Sequence, residues 1–358
     1  MNLMVINSNT FNMVGMVSSY ISCLWHVQFS NFGDFELIVP ATTENINLLR
    51  IKRILVRECD LKTDGSADNA MFIEKTVLTY DADMGYTLTV TGRGVKAILT
   101  RRIVWEQTNF TNEYLRNIMY SLVVNNMGAD AETERKIDGV SVGILDTDPK
   151  GPQITVQLLG ENIGDWVVKA AEDAEFGWRI LLTGINAGNG PSYLFQFVEG
   201  TDRSSTVLFS PSMDNLISSE YTYDITNYKN TALVGGEGEG SDKTFAEVGN
   251  PSGMNRYETY INAQQISSND GAIAGPTYEA MLQRYGSEQL APMRDTKSFY
   301  GVIDTDGILK IDQDYFLGDL VKVSNEKNIE GTTRLTEIIY ADDQEGYRVV
   351  GTFSETEV

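Results

Sequence analysis

Histidine and cysteine supply most hydrolytic and metal sites, and this sequence contains very few of them. It has one histidine, His26, and two cysteines, Cys23 and Cys59. A Ser-His-Asp or Cys-His site would have to use His26, and zinc catalysis with several histidine ligands is excluded. His26 lies in a strand-like segment, where Cys23, three residues earlier, is expected on the opposite face. The thiols match no CxxC spacing and are typical of a protein made in a reducing cytoplasm.

Other candidate sites lack the residues that their chemistry requires. The glycine-rich run at residues 235–243 has no Gly-Lys-Ser/Thr and carries two glutamates that would repel a phosphate. The acidic segments 146–148 and 304–307 lack the glutamate that completes a calcium loop. The 50 Asp and Glu residues offer so many carboxylate pairs that none indicates glycoside hydrolysis. We therefore expect no enzymatic activity, no catalytic residue, no metal and no cofactor.

The charge balance argues against a nucleic-acid-binding protein. The chain has 28 Lys and Arg against 50 Asp and Glu, a net charge of −22, whereas phosphate binding needs basic patches. Acidic surfaces could serve solubility alone, or they could let DNA pass nearby without adhering, and the sequence leaves both open. There is no stretch of eighteen apolar residues, and the first basic residue is Arg50. We therefore expect neither a membrane-spanning helix nor an ordinary secretory signal.

Alternating apolar and polar residues, together with turn residues between them, predict a mainly β protein with an α+β insertion. Short strands separated by Gly, Asn and Asp turns are expected at residues 35–39, 53–59, 71–78 and 86–90. Apolar residues at a spacing of 3.6 predict three helices, which end at Gly128, Gly177 and Gly286. The second helix leads into a strand pair at residues 178–182 and 193–197, which indicates an α+β unit between two β regions.

The sequence also contains a weak internal repeat. Residues 77–92 read VLTYDADMGYTLTVTG, and residues 337–351 read EIIYADDQEGYRVVG. In both, a Tyr ends an apolar strand, an acidic loop follows, and Gly-Tyr starts the returning strand. Residues 35–39 and 319–323 are the candidate strands that precede each hairpin. The repeat predicts one small, tube-like β-barrel near each end of the chain.

A series of short motifs extends over nearly the whole chain. The first half contains Gly92-Arg93-Gly94-Val95 and a Leu-x-x-Arg-Arg pattern at residues 99–102. The second half contains, in order, LFS at 208–210, DNL at 214–216, NYKNTALVGGEGEG at 227–240, GMNRYE at 253–258, LGDLV at 317–321 and RLTEI at 334–338. This order resembles the tail-hub, or tail-associated lysin, proteins of long-tailed, siphovirus-type bacteriophages, which infect mainly Gram-positive hosts.

The resemblance implies a structural hub at the tail tip of the virion, made in the host cytoplasm. In that family, three subunits with two similar barrels each form a ring of six, which adapts the hexameric tail tube to a three-fold tip. The implied partners are a homotrimer, the tail tube and distal tail proteins, and spike, fibre or receptor-binding proteins. DNA would pass through the lumen without specific binding. Many members continue into a peptidase or cell-wall hydrolase domain, whereas this chain ends at Val358, so lysis activity is expected either from another polypeptide or not at all.

The pattern of elements and the resemblance together suggest four segments. They are a first β-barrel domain at 1–102, which later strands could complete, an α+β domain at 103–200, a hairpin and short-helix region at 201–295, and a second β-barrel at 296–358. Interface residues are expected in the long hairpin at 231–248 and in the loops 81–85 and 341–346. The candidates are Val234, Gly235, Gly236, Glu237, Gly238, Glu239, Asp83 and Asp342.

Two other functions stay open. The chain could be a receptor- or carbohydrate-binding module of the same tail tip, with Trp105, Trp166 or Tyr300 as aromatic platforms, although such residues more often lie in cores and interfaces. A stand-alone cell-wall hydrolase is the third interpretation. It would require peptidoglycan turnover that disappears when a single carboxylate is changed.

Overall fold

The described part of the chain folds into two compact units. The computed structural model describes residues 1–83, 85–143, 150–188, 190–269, 271, 273–304, 307–327 and 329–353. The first unit combines Met1–Glu220 with the chain from Phe299 onward, and the second unit is Tyr221–Ser298. Within the described ranges, no helix is both long enough and apolar enough to cross a membrane.

Strands dominate the fold, which confirms the mainly β prediction. In the first half of the chain they are β1 (Leu3–Asn7), β2 (Met13–Val17), β3 (Ser22–Gln28), β4 (Asp34–Pro40), β5 (Arg53–Arg57), β6 (Met71–Phe72), β7 (Lys75–Asp81), β8 (Gly85–Arg93), β9 (Thr108–Tyr114), β10 (Val140–Val142), β11 (Gln153–Leu158), β12 (Gly177–Thr183) and β13 (Ser192–Val198). In the second half they are β14 (Leu208–Phe209), β15 (Leu216–Asp224), β16 (Thr231–Gly235), β17 (Phe245–Val248), β18 (Glu258–Asn262), β19 (Thr296–Ile303), β20 (Leu320–Ser324), β21 (Glu330–Asp343) and β22 (Gly346–Phe353).

Three of the four α-helices in the described chain are those that the apolar spacing predicts. They are α2 (Leu115–Asn126), α3 (Ile163–Asp173) and α4 (Gly275–Leu290), and a short α1 (Thr43–Leu48) adds one that was not predicted. The apolar stripe of α2 is buried, as an amphipathic helix requires. The side chain of Asn162 caps α3 by accepting a hydrogen bond from the backbone N–H of Asp165 at 3.2 Å.

One long sheet in the first unit contains strands from both ends of the chain. Its main path runs β15-β19-β22-β21-β3-β4-β8-β7, and β20 joins it through β21. Side chains alternate along these strands, so that Phe35, Leu37 and Val39 of β4 are buried while their neighbours face the other side.

The strand order of this sheet repeats itself. Four neighbouring strands of the sheet lie in the spatial order β3-β4-β8-β7, so that the first and second strands along the chain are followed by the fourth and then the third. The other four lie in the order β15-β19-β22-β21, which is the same arrangement. β4 pairs antiparallel with β8, and β19 pairs antiparallel with β22. Each half also has one further strand. In the first half, β5 follows β4 in the chain and pairs antiparallel with β6, which leads into β7. In the second half, β20 follows β19 and pairs antiparallel with the start of β21.

The repeat therefore extends beyond the two hairpins seen in the sequence, but its members differ from the expectation in one place. The counterpart of β4 is β19 and not the segment at 319–323, because β20 pairs with the first strand of its hairpin instead of the second.

Two separate small barrels are not confirmed. The two halves are instead joined edge to edge, because β21 pairs antiparallel with β3 from Glu337 opposite Gln28 to Asp342 opposite Cys23. This pairing brings together residues 309 positions apart, such as Gln28 and Glu337. Hydrophobic alternation is a local signal and does not specify which distant strand completes a sheet edge.

The α+β insertion lies in the same unit and shares its core with the first half of the chain. β10, β13 and β12 form a three-stranded sheet, and β11 pairs with β9. Residues of α2, α3, β12 and β13 form one buried apolar cluster with residues of β1, β5 and β6. The insertion is therefore packed as part of the first unit.

The second unit is a three-stranded sheet covered on one face by a helix. The strand order is β17-β16-β18, with β16 and β18 parallel. Tyr278 and Leu282 of α4 are buried against Ala232 and Val234 of β16. The other face of this sheet carries Leu233, Phe245 and Tyr260, which are about half exposed.

Phe29 links three parts of the first unit. Its backbone N–H donates to the carbonyl oxygen of Thr336, and its own carbonyl accepts from the N–H of Trp178 at 3.3 Å. Its buried ring lies against the backbones of Gly177 and Gly318, where a Cβ atom at either glycine would overlap the ring. These glycines are therefore required by close approach to the aromatic ring.

Gly177→Ala is expected to destabilise the protein by about 1–3 kcal/mol, because the new methyl group would displace the ring of Phe29 in a packed core. Gly275→Ala is the matched control, since a Cβ there meets no atom within 4 Å. Urea unfolding followed by far-ultraviolet circular dichroism, which reports on both units, measures both variants. Equal midpoints for the two variants would contradict the role assigned to Phe29.

Candidate assembly surfaces and the junction between the sheet halves

The residue types best suited to chemistry are not arranged for it in the described chain. Cys23 and His26 lie on opposite faces of β3, as predicted, with Cys23 fully buried. Burial raises the pKa of the Cys23 thiol to about 12, which disfavours a thiolate nucleophile. No group of three His, Cys, Asp or Glu side chains in the described ranges could hold a metal ion. The prominent features are instead a strand junction and exposed strand edges.

The junction between β3 and β21 is reinforced by aromatic and charged side chains on its core face. Trp25 lies opposite Tyr340 across the two strands. The guanidinium carbon of Arg57, on β5, lies 3.7 Å from the ring centroid of Tyr340 and 6.0 Å from that of Trp25. A side chain of the first half thus stacks on an aromatic ring of the second half, a cation–π contact that is strongest where water is excluded.

Arg57 is held in this position by a buried ion pair with Asp60. Its Nε and Nη2 atoms donate to the two carboxylate oxygens, each at 2.7 Å. The side chains of Arg57 and Asp60 are 2% and 8% exposed. Burial raises the pKa of Asp60, and burial would lower that of Arg57, but the attraction of Asp60 keeps the pKa of Arg57 above its ordinary value. Each charge therefore depends on the other.

A second buried charge fixes the end of β3. The Nζ atom of Lys96 donates to the carbonyl oxygens of Gln28, Phe29 and Asn31 at 2.8, 3.0 and 2.7 Å. Three ammonium protons match three acceptors, and the ammonium also lies 4.6 Å from the ring centroid of Trp178. Burial lowers the pKa of Lys96 to about 7. This arrangement holds the segment that carries Phe29.

The long sheet ends in two exposed strands. At one end, β7 pairs only with β8 and exposes both of its faces, with Leu78 at 55% and Tyr80 at 64%. At the other end, β15 is exposed from Ile217 to Glu220, and Ile217 reaches 70%. Unpaired strand edges with exposed apolar side chains favour pairing with another chain.

The predicted interface residues in the two hairpin loops have different surroundings. Asp83 is exposed in the turn between β7 and β8, where its backbone N–H donates to Asp81 Oδ1 at 2.8 Å. Asp342 accepts hydrogen bonds from the Tyr20 hydroxyl and the Met1 amino group. These bonds keep the pKa of Asp342 below its usual range although burial opposes this. Asp83 is free to reach a partner, whereas Asp342 is bound within its own chain.

The predicted interface residues at 234–239 divide into a buried and an exposed set. Val234, Gly235 and Gly236 are buried inside the second unit. Glu237 is half-buried and accepts a hydrogen bond from the backbone N–H of Ser268 at 2.9 Å, and the Ser268 hydrogen bonds lower the pKa of Glu237. Gly238 and Glu239 are exposed. Their role in an interface stays a prediction.

The glycines of this hairpin have a packing role that the sequence did not reveal. A Cβ at Gly236 would overlap the hydroxyl of Tyr278 and the side chain of Leu282 on α4, and a Cβ at Gly286 would overlap Val234. Glycine on both elements therefore allows α4 to lie close to β16. In the sequence, the only sign of this close packing is a glycine in the hairpin and another at the end of the predicted helix. The position of α4 in the structure explains both.

The predicted aromatic platforms are also placed differently. Trp105 is 58% exposed, with the Arg135 guanidinium 5.2 Å from its ring centroid. Trp166 packs against the main core cluster, and Tyr300 lies in β19 opposite Thr352.

The sequence matches the family model described as Siphovirus ReqiPepy6 Gp37-like protein over residues 2–353. No curated protein matches the sequence.

Three solved structures of tail proteins, two of them from prophages, share the fold. The 43 kDa tail protein of prophage MuSo2 from Shewanella oneidensis has a TM-score of 0.58 at 14% identity, covering 99% of this chain and 98% of that one. A tail protein from Neisseria meningitidis MC58 has a TM-score of 0.58 at 14% identity, with coverages of 99% and 96%. Prophage tail protein gp18 from Listeria monocytogenes EGD-e has a TM-score of 0.53 at 10% identity, with coverages of 100% and 96%.

Arg57→Met is expected to lower the free energy of unfolding by about 3–5 kcal/mol, because it leaves the buried Asp60 carboxylate without its cation. Adding Asp60→Asn should recover part of this loss. Lys62→Met is the control: its ion pair with Asp68 is exposed, and its removal should cost at most about 1 kcal/mol. Denaturant unfolding distinguishes the variants. A loss for Arg57→Met no larger than for Lys62→Met would contradict the importance of this contact.

Proposed function

The chain belongs to the Siphovirus ReqiPepy6 Gp37-like protein family, and from this premise we propose that it is the hub of a phage tail tip. Family membership and a fold shared with phage tail proteins confirm the resemblance to tail-hub proteins, and the protein is a structural component of the virion tail. In the proposed role, three copies close the end of the tail tube around a lumen for DNA. The observation that carries this proposal is the repeated strand order of the long sheet.

The repeat supports a ring of six similar positions. Each chain contributes two four-stranded modules with the same strand order, so three chains contribute six modules. A ring of three such subunits can then match a hexameric tube, because each subunit occupies two adjacent positions. Such head-to-tail contacts form a closed ring when the rotation between neighbours returns to the start.

The junction within the chain indicates how neighbouring subunits would meet. β21 is the last strand of one module, and it pairs antiparallel with β3, the first strand of the other. At the free ends of the sheet, β7 is the last strand of its module and β15 is the first strand of its module. By the same rule, β7 of one subunit would pair with β15 of the next. Three subunits would then form a closed sheet of 24 strands from the eight on each main path, which leaves no exposed edge.

The charges on the sheet face opposite the core suit the passage of DNA. Two arginines on this face are paired with carboxylates of the same chain. Arg93 binds both oxygens of Glu74 at 2.9 Å, and Arg348 binds Asp343 at 3.1 and 2.9 Å. If this face lines the lumen, these guanidinium groups are already neutralised, and the net charge of −22 repels phosphates.

Partners at the two ends of the hub belong to the same proposal. We expect the tail tube and distal tail proteins on one side, and spike, fibre or receptor-binding proteins on the other.

The alternative of a receptor- or carbohydrate-binding module has its strongest candidate in Trp105, although one side of that indole is approached by Arg135. Binding to a glycan array that is lost in Trp105→Ala would support the alternative.

Leu78→Arg and Ile217→Arg are each expected to prevent trimer formation and incorporation into tails, because each places a charge on a proposed strand edge. Leu159→Arg is the matched control, since Leu159 is 56% exposed against 55% for Leu78 and lies on neither edge. The free energy of unfolding of the subunit should change by less than about 0.5 kcal/mol in all three. Native mass in solution and the subunit content of purified tails are the measurements. Normal assembly of both edge variants would contradict the ring.

The purified protein is expected not to retain double-stranded DNA even at low ionic strength, where electrostatic binding is strongest. Glu74→Gln combined with Asp343→Asn and Glu345→Gln should release Arg93 and Arg348, weaken the repulsion and produce retention that salt removes. Electrophoretic mobility shift over a salt series measures both proteins. Tight low-salt binding by the unaltered protein would contradict repulsion.

A further inference from the structure

The chain's single histidine lies in the junction that joins the two halves of the long sheet. His26 is on β3, opposite Asp34 on β4 and Ile339 on β21. Its Nδ1 atom lies 3.5 Å from Asp34 Oδ2, and its Nε2 atom lies 3.6 Å from Glu337 Oε2. The imidazole therefore has one carboxylate from each neighbouring strand, one in each half of the sheet.

We propose that this junction contains a pH-dependent tie, in which protonated His26 bridges Asp34 and Glu337 and holds β21 against β3. A neutral imidazole donates from only one nitrogen, whereas the imidazolium donates from both. Only the charged form can therefore serve both carboxylates. The device lies within one subunit and acts whether or not the protein forms a ring.

The geometry around the imidazole favours this protonation. His26 Nε2 is buried and makes no hydrogen bond, so that Glu337 is the group placed to receive a proton from it. The side chains of His26 and Glu337 are 20% and 32% exposed, which limits screening of this contact by water, whereas Asp34 is 67% exposed and its attraction is screened more. An orphaned ring nitrogen facing a carboxylate is costly when neutral and favourable when charged.

The other charged groups near the site do not replace the histidine. Arg93, opposite Asp34 on β8, donates through Nε and Nη2 to the two carboxylate oxygens of Glu74. On β21, Glu337 accepts a hydrogen bond from Gln28 Nε2 at 2.6 Å, which is neutral. From α3, the Glu172 carboxylate adds negative charge near Glu337. The charges that face His26 most closely are therefore negative.

The direction of the pH dependence follows from the shifts of the two groups. The Glu337 carboxylate, with a smaller effect of Asp34, raises the pKa of His26 above its ordinary 6.5 although burial opposes this. The interaction with His26 is the main cause that lowers the pKa of Glu337 below its ordinary 4.5, and other hydrogen bonds to Glu337 add to it. A raised histidine pKa stabilises the fold below about pH 6.5, and this contribution is lost as the pH rises through the folded-state value. A lowered glutamate pKa stabilises the fold above about pH 4.5, and this is lost as the pH falls through its folded-state value.

The tie is consequently strongest in mildly acidic solution and weakens on both sides of that range. Because β3 and β21 are the strands through which the two modules share one sheet, its strength sets how firmly the modules are held together. A change of pH across neutrality would alter the resistance of the junction to opening without altering the core of either half.

The first test is an NMR titration of the full chain, in which the single imidazole gives one assignable signal. The titration midpoint of His26 is expected above 6.5, and Glu337→Gln should move it downward. Glu36→Gln is the matched control, because it removes a carboxylate from the same strand as Asp34, opposite Leu24, and should leave the midpoint nearly unchanged. A midpoint at or below 6.5, or equal shifts in both variants, would overturn the proposal.

The second test is the melting temperature from pH 4 to pH 9 for the unaltered chain and for His26→Gln. The unaltered chain should lose more thermal stability than His26→Gln as the pH rises from 6 to 9, since only it loses the imidazolium. Parallel curves would overturn the proposal. Should His26→Gln fail to fold, the downward midpoint shift in Glu337→Gln decides the matter alone.

Discussion

The pairing of β3 with β21 is the interaction on which the rest of this structure depends. It joins strands from opposite ends of the chain into one sheet, and the core contacts of Trp25, Tyr340 and Arg57 lie across it. The buried Arg57–Asp60 pair and the capped Lys96 ammonium hold the segments on either side. A buried ion pair is costly unless both partners are satisfied, which Arg57 and Asp60 achieve, and the Lys96 amino group is satisfied by three backbone carbonyls.

The same pairing gives the repeat its functional meaning. Two modules with one strand order, joined last strand to first, leave a last strand and a first strand unpaired at the ends. A protein with such ends can continue the sheet only through further copies or through a partner with a matching edge. The exposed apolar side chains on β7 and β15 are consistent with a covered edge in the assembled tail. In this account, assembly repeats between subunits what the chain already does within itself.

Local features of the fold could be predicted from the sequence, whereas long-range pairing could not. The stripes of α2, α3 and α4 and the hairpins β7–β8 and β21–β22 are encoded by neighbouring residues, so periodicity and turn composition predict them. The joined sheet depends on the pairing of Gln28 with Glu337, and β19 replaces the expected counterpart of β4 for the same reason. Gly235 and Gly236 belong to a hairpin that the sequence predicts, but their close packing against Tyr260 and α4 depends on residues distant in the chain, so the sequence did not predict it.

The central claim is that the free edges of the long sheet join three subunits into a closed ring. It is tested most directly by imaging purified tails along and across their axis at a resolution that traces strands. The account predicts three copies around the lumen, with β7 of each running antiparallel to β15 of its neighbour. A single copy away from the axis, or a three-fold ring in which β7 and β15 face solvent, would contradict it.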